Sequence, residues 1–324
     1  MTRRLRALAR RALRRRPGAG DGPPPSPRLD SWLALFDAEL SPIEAACAGG
    51  GAECFSLFRG LDDDLWALLL TQDYDGYPNI RSLLPRVPDA ALQELWTGAS
   101  GVALAAQSTA FYRRLRERYA QHSERTLADS RVLDFGCGWG RLARYLARDV
   151  EPGSLYGCDP VEQILEECRR SGVPAVLARS EFVPDRLPFD VEFDLAFSFS
   201  VFTHISEPAH EQCLRALHAG MRPGGLLVLT VRPPEYLWFS ELMRPALAAL
   251  GPHPAERLAE PRYLFVPHPA EPSHFQYEGG EMTYGETVVT LPYVREHWDS
   301  LFELLAVDVL VGDLYQLALT LRRR

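Results

Sequence analysis

The chain has 324 residues, 46% of them hydrophobic and 24% charged, with a formal net charge of −8, which is enough apolar material for one sizeable domain plus a smaller accessory one. No apolar run approaches the roughly 20 residues needed to cross a bilayer. All 35 basic residues are arginine, so chemistry that needs a lysine, such as a pyridoxal Schiff base or a P-loop phosphate contact, is excluded.

The charge is uneven. Residues 1–28 hold nine arginines and one aspartate, a net of +8, which leaves −16 on the rest and argues against general nucleic-acid binding. Within residues 1–16, Leu5, Leu8, Ala9, Ala12 and Leu13 fall on one helical stripe among the arginines. Contact with an anionic membrane surface is one reading of this stripe, and a solvated, disordered tail is the reading that its shortness and alanine content favour. It lacks the apolar core of a secretory signal. The Pro/Gly-rich residues 17–27 read as a linker.

Residues 29–126 predict a helical lid or extension without strand alternation. A helix that opens on Asp62-Asp63-Asp64 has acidic residues where the macrodipole welcomes them. Further helices are expected over 89–96 and 102–121. The aromatics Trp66, Tyr74, Tyr77, Trp96, Phe111 and Tyr112 read chiefly as core, with a lid over a ligand as the alternative.

Alternation of strand and helix begins at Arg131. Strands are expected at 131–135, 154–159, 174–177, 193–199 and 224–231, and helices at 139–149, 160–170 and 207–219. Parallel strands joined by right-handed crossovers give an open α/β sheet with helices on both faces. Residues 233–287 read as a Pro-rich insertion with strand-like pieces at 263–266 and 281–289. A helix at 292–300 and strands at 302–310 and 315–321 close the domain, which spans 127–324.

The most informative stretch is Val132-Leu133-Asp134-Phe135-Gly136-Cys137-Gly138-Trp139-Gly140-Arg141, an apolar strand running into Asp-x-Gly-x-Gly-x-Gly. Leu155-Tyr156-Gly157-Cys158-Asp159, Phe193 to Ser198 and Pro223-Gly224-Gly225 follow it in order. Together they resemble a class I S-adenosylmethionine-dependent methyltransferase. The resemblance implies a doubly wound, mostly parallel seven-stranded sheet with an antiparallel C-terminal strand, and S-adenosyl-L-methionine as cofactor. It further implies cofactor contacts from Asp134, Gly136, Cys137, Gly138, Gly140, Asp159, Pro160, Ser198 and Phe199. Ligands of such sheets bind at the carboxyl ends of the strands, and a carboxylate at Asp159 suits two ribose hydroxyls.

A nicotinamide-binding Rossmann domain, hence an NAD-dependent oxidoreductase, competes for the glycine loop. Its G-x-G-x-x-G fingerprint fails here, because Arg141 stands in the third slot. A non-catalytic partner subunit with the same fold is the other alternative, against which the intact cofactor residues argue.

The segment Phe197 to Ile205 is similar to that of small-molecule and glycan-directed members, and the helical extension to that of bacterial relatives from glycan or secondary-metabolite pathways. The expected reaction is O-methylation of a small-molecule or sugar hydroxyl. His204 is the candidate general base, since an imidazole titrates near neutrality. His210 reads as a surface residue, and Arg232-Pro233-Pro234-Glu235-Tyr236 as a decoy of the amino-methylating signature. Tyr236, His253, His268, His274, Tyr277 and Tyr284 are possible acceptor contacts within the insertion. The six cysteines form no zinc-type cluster, so no metal is expected and a cytoplasmic location fits. The oligomeric state is left open.

Overall fold

The computed structural model describes residues 29–268 and 282–324. The basic segment 1–16, the linker 17–27, His274 and Tyr277 lie outside the described residues.

Seven strands form the central sheet in the order β3-β2-β1-β4-β5-β9-β8. They are β1 (Val132–Phe135), β2 (Leu155–Asp159), β3 (Val176–Arg179), β4 (Phe193–Ser198), β5 (Met221–Val231), β8 (Phe302–Leu310) and β9 (Asp313–Arg323). The five strands from β3 to β5 pair in parallel. β9 enters antiparallel between β5 and β8, with Leu227 opposite Leu321. Strands β1 and β4 are buried along their whole length, as a parallel sheet covered on both faces requires.

The chain departs from the predicted boundaries where backbone chemistry intervenes. The expected helix over 139–149 shrinks to Ala143–Leu146, because Gly140 sits at φ +75° and holds the preceding residues in turns. The third strand begins at Val176, past Pro174, which has no N–H to give the ladder.

The helices of 29–122 do not stand over the sheet as a separate cap. They share one hydrophobic core with it, in which Phe58, Trp66 and Phe111 join Val132, Leu195 and Val228. Arg148, fully buried, donates to the carbonyls of Phe58 and Leu61 and pairs with Asp63. Trp66 Nε1 donates to the Tyr145 carbonyl at 3.0 Å. Trp66, Tyr74, Tyr77, Phe111 and Tyr112 are therefore core residues, and Trp96 is the partly exposed exception. As predicted, one of these helices opens on acidic residues, with Asp62 capping Asp63–Thr71; Asp89 likewise caps Ala90–Thr97.

The insertion supplies a second, two-stranded sheet, β6 (Tyr263–Pro267) with β7 (Gly285–Val289). β7 is sewn to the loop that leaves β4. Gly285 N–H donates to the His204 carbonyl at 2.7 Å and Thr287 N–H to that of Thr203 at 3.0 Å. The insertion thus lies at the carboxyl ends of β4 and β5. Among the described residues no helix is long and apolar enough to cross a membrane.

Candidate active site

At the end of β1 the backbone turns on three glycines, with φ +76° at Gly136, +54° at Gly138 and +75° at Gly140. A methyl group at Gly136 would lie 2.3 Å from Val201 Cγ2, and one at Gly140 2.7 Å from Val173 Cγ2, so these two are fixed by packing. Gly138 differs: nothing lies within 4 Å of where its Cβ would be. The turn is pinned from beneath by the Cys158 carbonyl, which accepts from Gly136 N–H at 2.8 Å and from Cys137 N–H at 3.0 Å.

Asp159 closes β2 beside this turn. Its Oδ2 accepts from Gly138 N–H at 3.0 Å and its Oδ1 from Val161 N–H at 3.0 Å. Each oxygen keeps a second lone pair for another donor. Burial pushes the Asp159 carboxyl up to about 6, against the pull of those two amides.

Asp134 lies deeper still. Its Oδ2 is buried without a hydrogen-bond partner, and burial pushes its pKa up to about 8 despite the charge of Arg141. Arg141 leaves the turn and lays its guanidinium 4.5 Å over the Phe199 ring. It donates to Gln107 Oε1 at 2.6 Å, and Gln107 in turn donates to Asp313 Oδ2 at 2.8 Å. Gln316 donates to the same Asp313 oxygen at 2.8 Å and to Ser200 Oγ at 2.6 Å. The long helix Gly101–His122, the glycine turn, the loop after β4 and the start of β9 are tied together by this chain of polar groups. Sequence reasoning missed Gln107, Asp313 and Gln316 as members of the site, since nothing local in their surroundings signals it.

The other expected cofactor residues are arranged as follows. Phe199 packs edge-on against Phe111, with centroids 4.9 Å apart. The Ser198 hydroxyl points inward and donates to the Phe135 carbonyl at 2.9 Å. Pro160 gives its carbonyl to Arg179 Nε, and the buried Cys137 thiol faces the Gly138 carbonyl at 3.7 Å. Ser200, immediately after β4, holds φ +62°, an uncommon backbone for a side-chain-bearing residue, with its N–H on Thr230 Oγ1.

Beyond that strained turn stands a second polar cluster. His204 Nδ1 lies 2.8 Å from the Gly285 carbonyl, so Nδ1 carries the proton and Nε2 accepts from Arg232 at 3.2 Å. Arg232 also pairs with Glu286 at 2.7 Å and lies 3.9 Å over the Tyr236 ring. Tyr236 donates to Glu286 Oε2 at 3.0 Å, and His268 Nε2 lies 3.4 Å from Glu286 Oε1. Tyr284 stacks on the His204 ring at 5.3 Å. Burial, reinforced by Arg232, pushes the His204 imidazole down to about 4. Burial alone would raise the Glu286 carboxyl, but His268, His204 and Arg232 together hold it below its ordinary value.

The segment Arg232 to Tyr236 follows β5 and contributes two members of this cluster, because β5 ends beside β4 and delivers its next residues to the same place. One expectation is corrected here. His210 is not a surface residue: it is fully buried, with Nδ1 at 2.8 Å from the Tyr263 hydroxyl. His253 stands in the open on the far part of the insertion.

His204, His268 and Glu286 bring ligating atoms within 4.8 Å of one another, a metal-like grouping. The Arg232 guanidinium already contacts both His204 and Glu286, so a cation is in place there and a metal ion would have to displace it.

Residues 132–225 match the family model described as a methyltransferase domain. The chain is similar to a fatty-acid O-methyltransferase of Mycolicibacterium smegmatis, 34% identical over 119 residues that span 36% of this chain and 43% of that protein. It is also similar to a sarcosine/dimethylglycine N-methyltransferase of Halorhodospira halochloris, 32% identical over 128 residues, 36% of this chain and 43% of that protein. Among solved structures, a magnesium protoporphyrin IX methyltransferase from Synechocystis with bound SAH aligns over 82% of this chain and 96% of its own, at 14% identity and a TM-score of 0.45. The chain spans about half the length of the curated relatives it matches.

Proposed function

Residues 132–225 belong to a class I S-adenosylmethionine-dependent methyltransferase domain, and from that premise we propose that this chain transfers a methyl group from S-adenosylmethionine to an oxygen of a small-molecule acceptor. The observation that carries the reading is the pairing of the glycine turn with Asp159. Gly138 leaves free space above the backbone, the Asp159 carboxylate keeps lone pairs for sugar hydroxyls, and Asp134 holds a buried oxygen that lacks a donor. Gly138 and Asp159 would hold the nucleoside, and Asp134 with Arg141 would face its amino-acid portion. When bound, the cofactor supplies an electrophilic methyl group on a sulfonium that already carries its leaving-group charge.

What the protein then has to do is align the acceptor and exclude water. The cluster around His204 lies at the carboxyl ends of β4 and β5, beyond Phe199, and is suited to orienting a polar acceptor. His204 as held here is a weak base, its free nitrogen occupied by Arg232. A sugar hydroxyl needs such a base and a carboxylate or phenolate does not. We therefore favour an acceptor whose oxygen is ionised near neutral pH over an unactivated sugar hydroxyl, with His204 as a positioning residue. A fatty-acid O-methyltransferase among the relatives is in keeping with this choice. The six cysteines, all free and buried, support a reducing, cytoplasmic setting.

The test uses methyl-labelled S-adenosylmethionine and a panel of carboxylic acids, phenols and sugars, with S-adenosylhomocysteine release and product mass as readouts. Label on an acid or phenol oxygen is expected. Transfer to amines alone, or no binding of S-adenosylhomocysteine by calorimetry, would overturn the reading.

A further inference from the structure

Large apolar side chains stand in solvent at one end of the molecule. Trp238, Phe239 and Leu242 follow β5, and Val311, Leu314 and Tyr315 form the tip of the β8–β9 hairpin; Val311 is 89% exposed, and Phe239 and Leu314 are each 68% exposed. The two groups meet, since the Tyr315 ring lies 5.7 Å from that of Phe239 and 5.9 Å from that of Tyr236. They also share an end of the sheet with the candidate active site. β9 runs antiparallel to β5, with Leu317 opposite Val231, so the hairpin tip projects where β5 finishes and the glycine turn leaves β1.

The tip is anchored from behind by Asp313, which accepts from Gln107 and Gln316. Its apolar side chains are thus held outward by a fixed backbone. Large exposed apolar side chains gathered at one end of the sheet mark a contact surface.

Charge says which surface. The body carries −16, and +8 sits on residues 1–28 entirely as arginine against one aspartate. Arginines are drawn to anionic headgroups, and Trp, Tyr, Phe and Leu partition into the interfacial zone of a bilayer. Binding to such a surface grows with the apolar area buried in it and with electrostatic attraction to anionic lipid, so the two signals add.

We propose that the rim of Trp238, Phe239, Leu242, Val311, Leu314 and Tyr315 docks on an anionic lipid bilayer, with the arginine-rich segment as its electrostatic tether. Docking in this orientation sets the mouth of the candidate active site against the lipid surface. The inference does not depend on methyl transfer.

The test is flotation of the full-length protein with vesicles of phosphatidylcholine alone and of phosphatidylcholine mixed with phosphatidylglycerol. Wild type is expected to float with the mixed vesicles, to stay behind with the neutral ones, and to be released by high salt. Combining Phe239→Glu, Val311→Glu and Leu314→Glu in the full chain should weaken partitioning at least tenfold, while the melting temperature and circular dichroism spectrum match wild type. Absence of wild-type flotation with mixed vesicles overturns the proposal. So does flotation of the folded triple variant at the wild-type level, which would give all binding to the arginines, or equal flotation on neutral lipid, which would leave the tether without a role. If the triple variant fails to fold, Leu314→Glu alone, at the hairpin tip, is expected to show a smaller loss, and no loss overturns the proposal.

Discussion

Arg232 donates to Nε2 of His204 at 3.2 Å, and the same terminal nitrogen reaches Glu286 at 2.7 Å, so one guanidinium fixes both the imidazole and the carboxylate beside the expected acceptor position. Replacing Arg232 by Met removes the cation from a buried carboxylate. Loss of one partner of a buried pair costs about 3–5 kcal/mol, read as a shift in denaturant midpoint, and Arg232→Lys should recover part of it. With the guanidinium gone, His204 should titrate above its wild-type value of about 4 in an NMR pH series. An unmoved imidazole would remove Arg232 from the electrostatics of this site.

Asp159→Asn keeps the shape of the side chain but loses the charge that accepts from the amides of Gly138 and Val161. The lone pairs left for sugar hydroxyls then sit on a neutral amide, and a hydrogen bond to a charged group contributes about 1.5–3 kcal/mol. Affinity for S-adenosylhomocysteine should therefore fall at least tenfold by calorimetry, and wild-type affinity in the variant would take Asp159 out of the cofactor site.

The glycines of the turn should separate stability from binding. Gly136→Ala places a methyl group 2.3 Å from Val201 at φ +76° and should lower stability by roughly 1–3 kcal/mol. Gly138→Ala meets no neighbour, so its stability cost is only the left-handed backbone, about 1–2 kcal/mol. Its methyl group enters the space reserved here for the nucleoside, and cofactor affinity should drop more than stability does. Full affinity in Gly138→Ala would move the ligand elsewhere.

Titration of buried groups gives opposite slopes that can be read one variant at a time. His210 is pushed down to about 3 by burial, against an ordinary value near 6.5. Its contribution to stability is present above pH 6.5 and is lost as the unfolded chain takes up a proton below that. Relative to His210→Leu, wild type should lose roughly 3 kcal/mol between pH 6.5 and 4, at about 1.4 kcal/mol per unit. Asp134, raised to about 8, behaves in reverse: compared with Asp134→Asn, wild type should weaken as pH climbs from 4 towards 8. Parallel pH profiles for wild type and either variant would mean that the residue titrates alike in both states.

Sequence pattern carried the sheet because parallel strands buried on both faces read as unbroken apolar runs, as in Phe193 to Ser198, and because glycines at 136, 138 and 140 have a geometric reason to be there. It also carried the helices that open at Asp62 and at Asp89, the first from its run of aspartates. What it missed depends on contacts between distant residues. Tyr236 was legible as a possible contact of the insertion, whereas the part of Arg232 follows only from β5 ending beside β4. His210 shares a helical stripe with Cys213, Leu214 and Leu217, a periodic sign of burial masked by its polar side chain, whose partner Tyr263 arrives from the insertion. Gln107, Asp313 and Gln316 converge from the extension and the last strand, and no local spacing encodes that meeting.

The place of β9 between β5 and β8 has a bearing on how the molecule is made. Residues 313–323 supply the rung that shields the flank of β5, so during synthesis this row of amides and carbonyls stays bare until residue 323 has left the ribosome. A vacant flank of apolar strand is a template for pairing with another nascent chain. Ribosome stalling or cleavage upstream of residue 313 should thus leave a sticky, aggregating fragment rather than a smaller working domain.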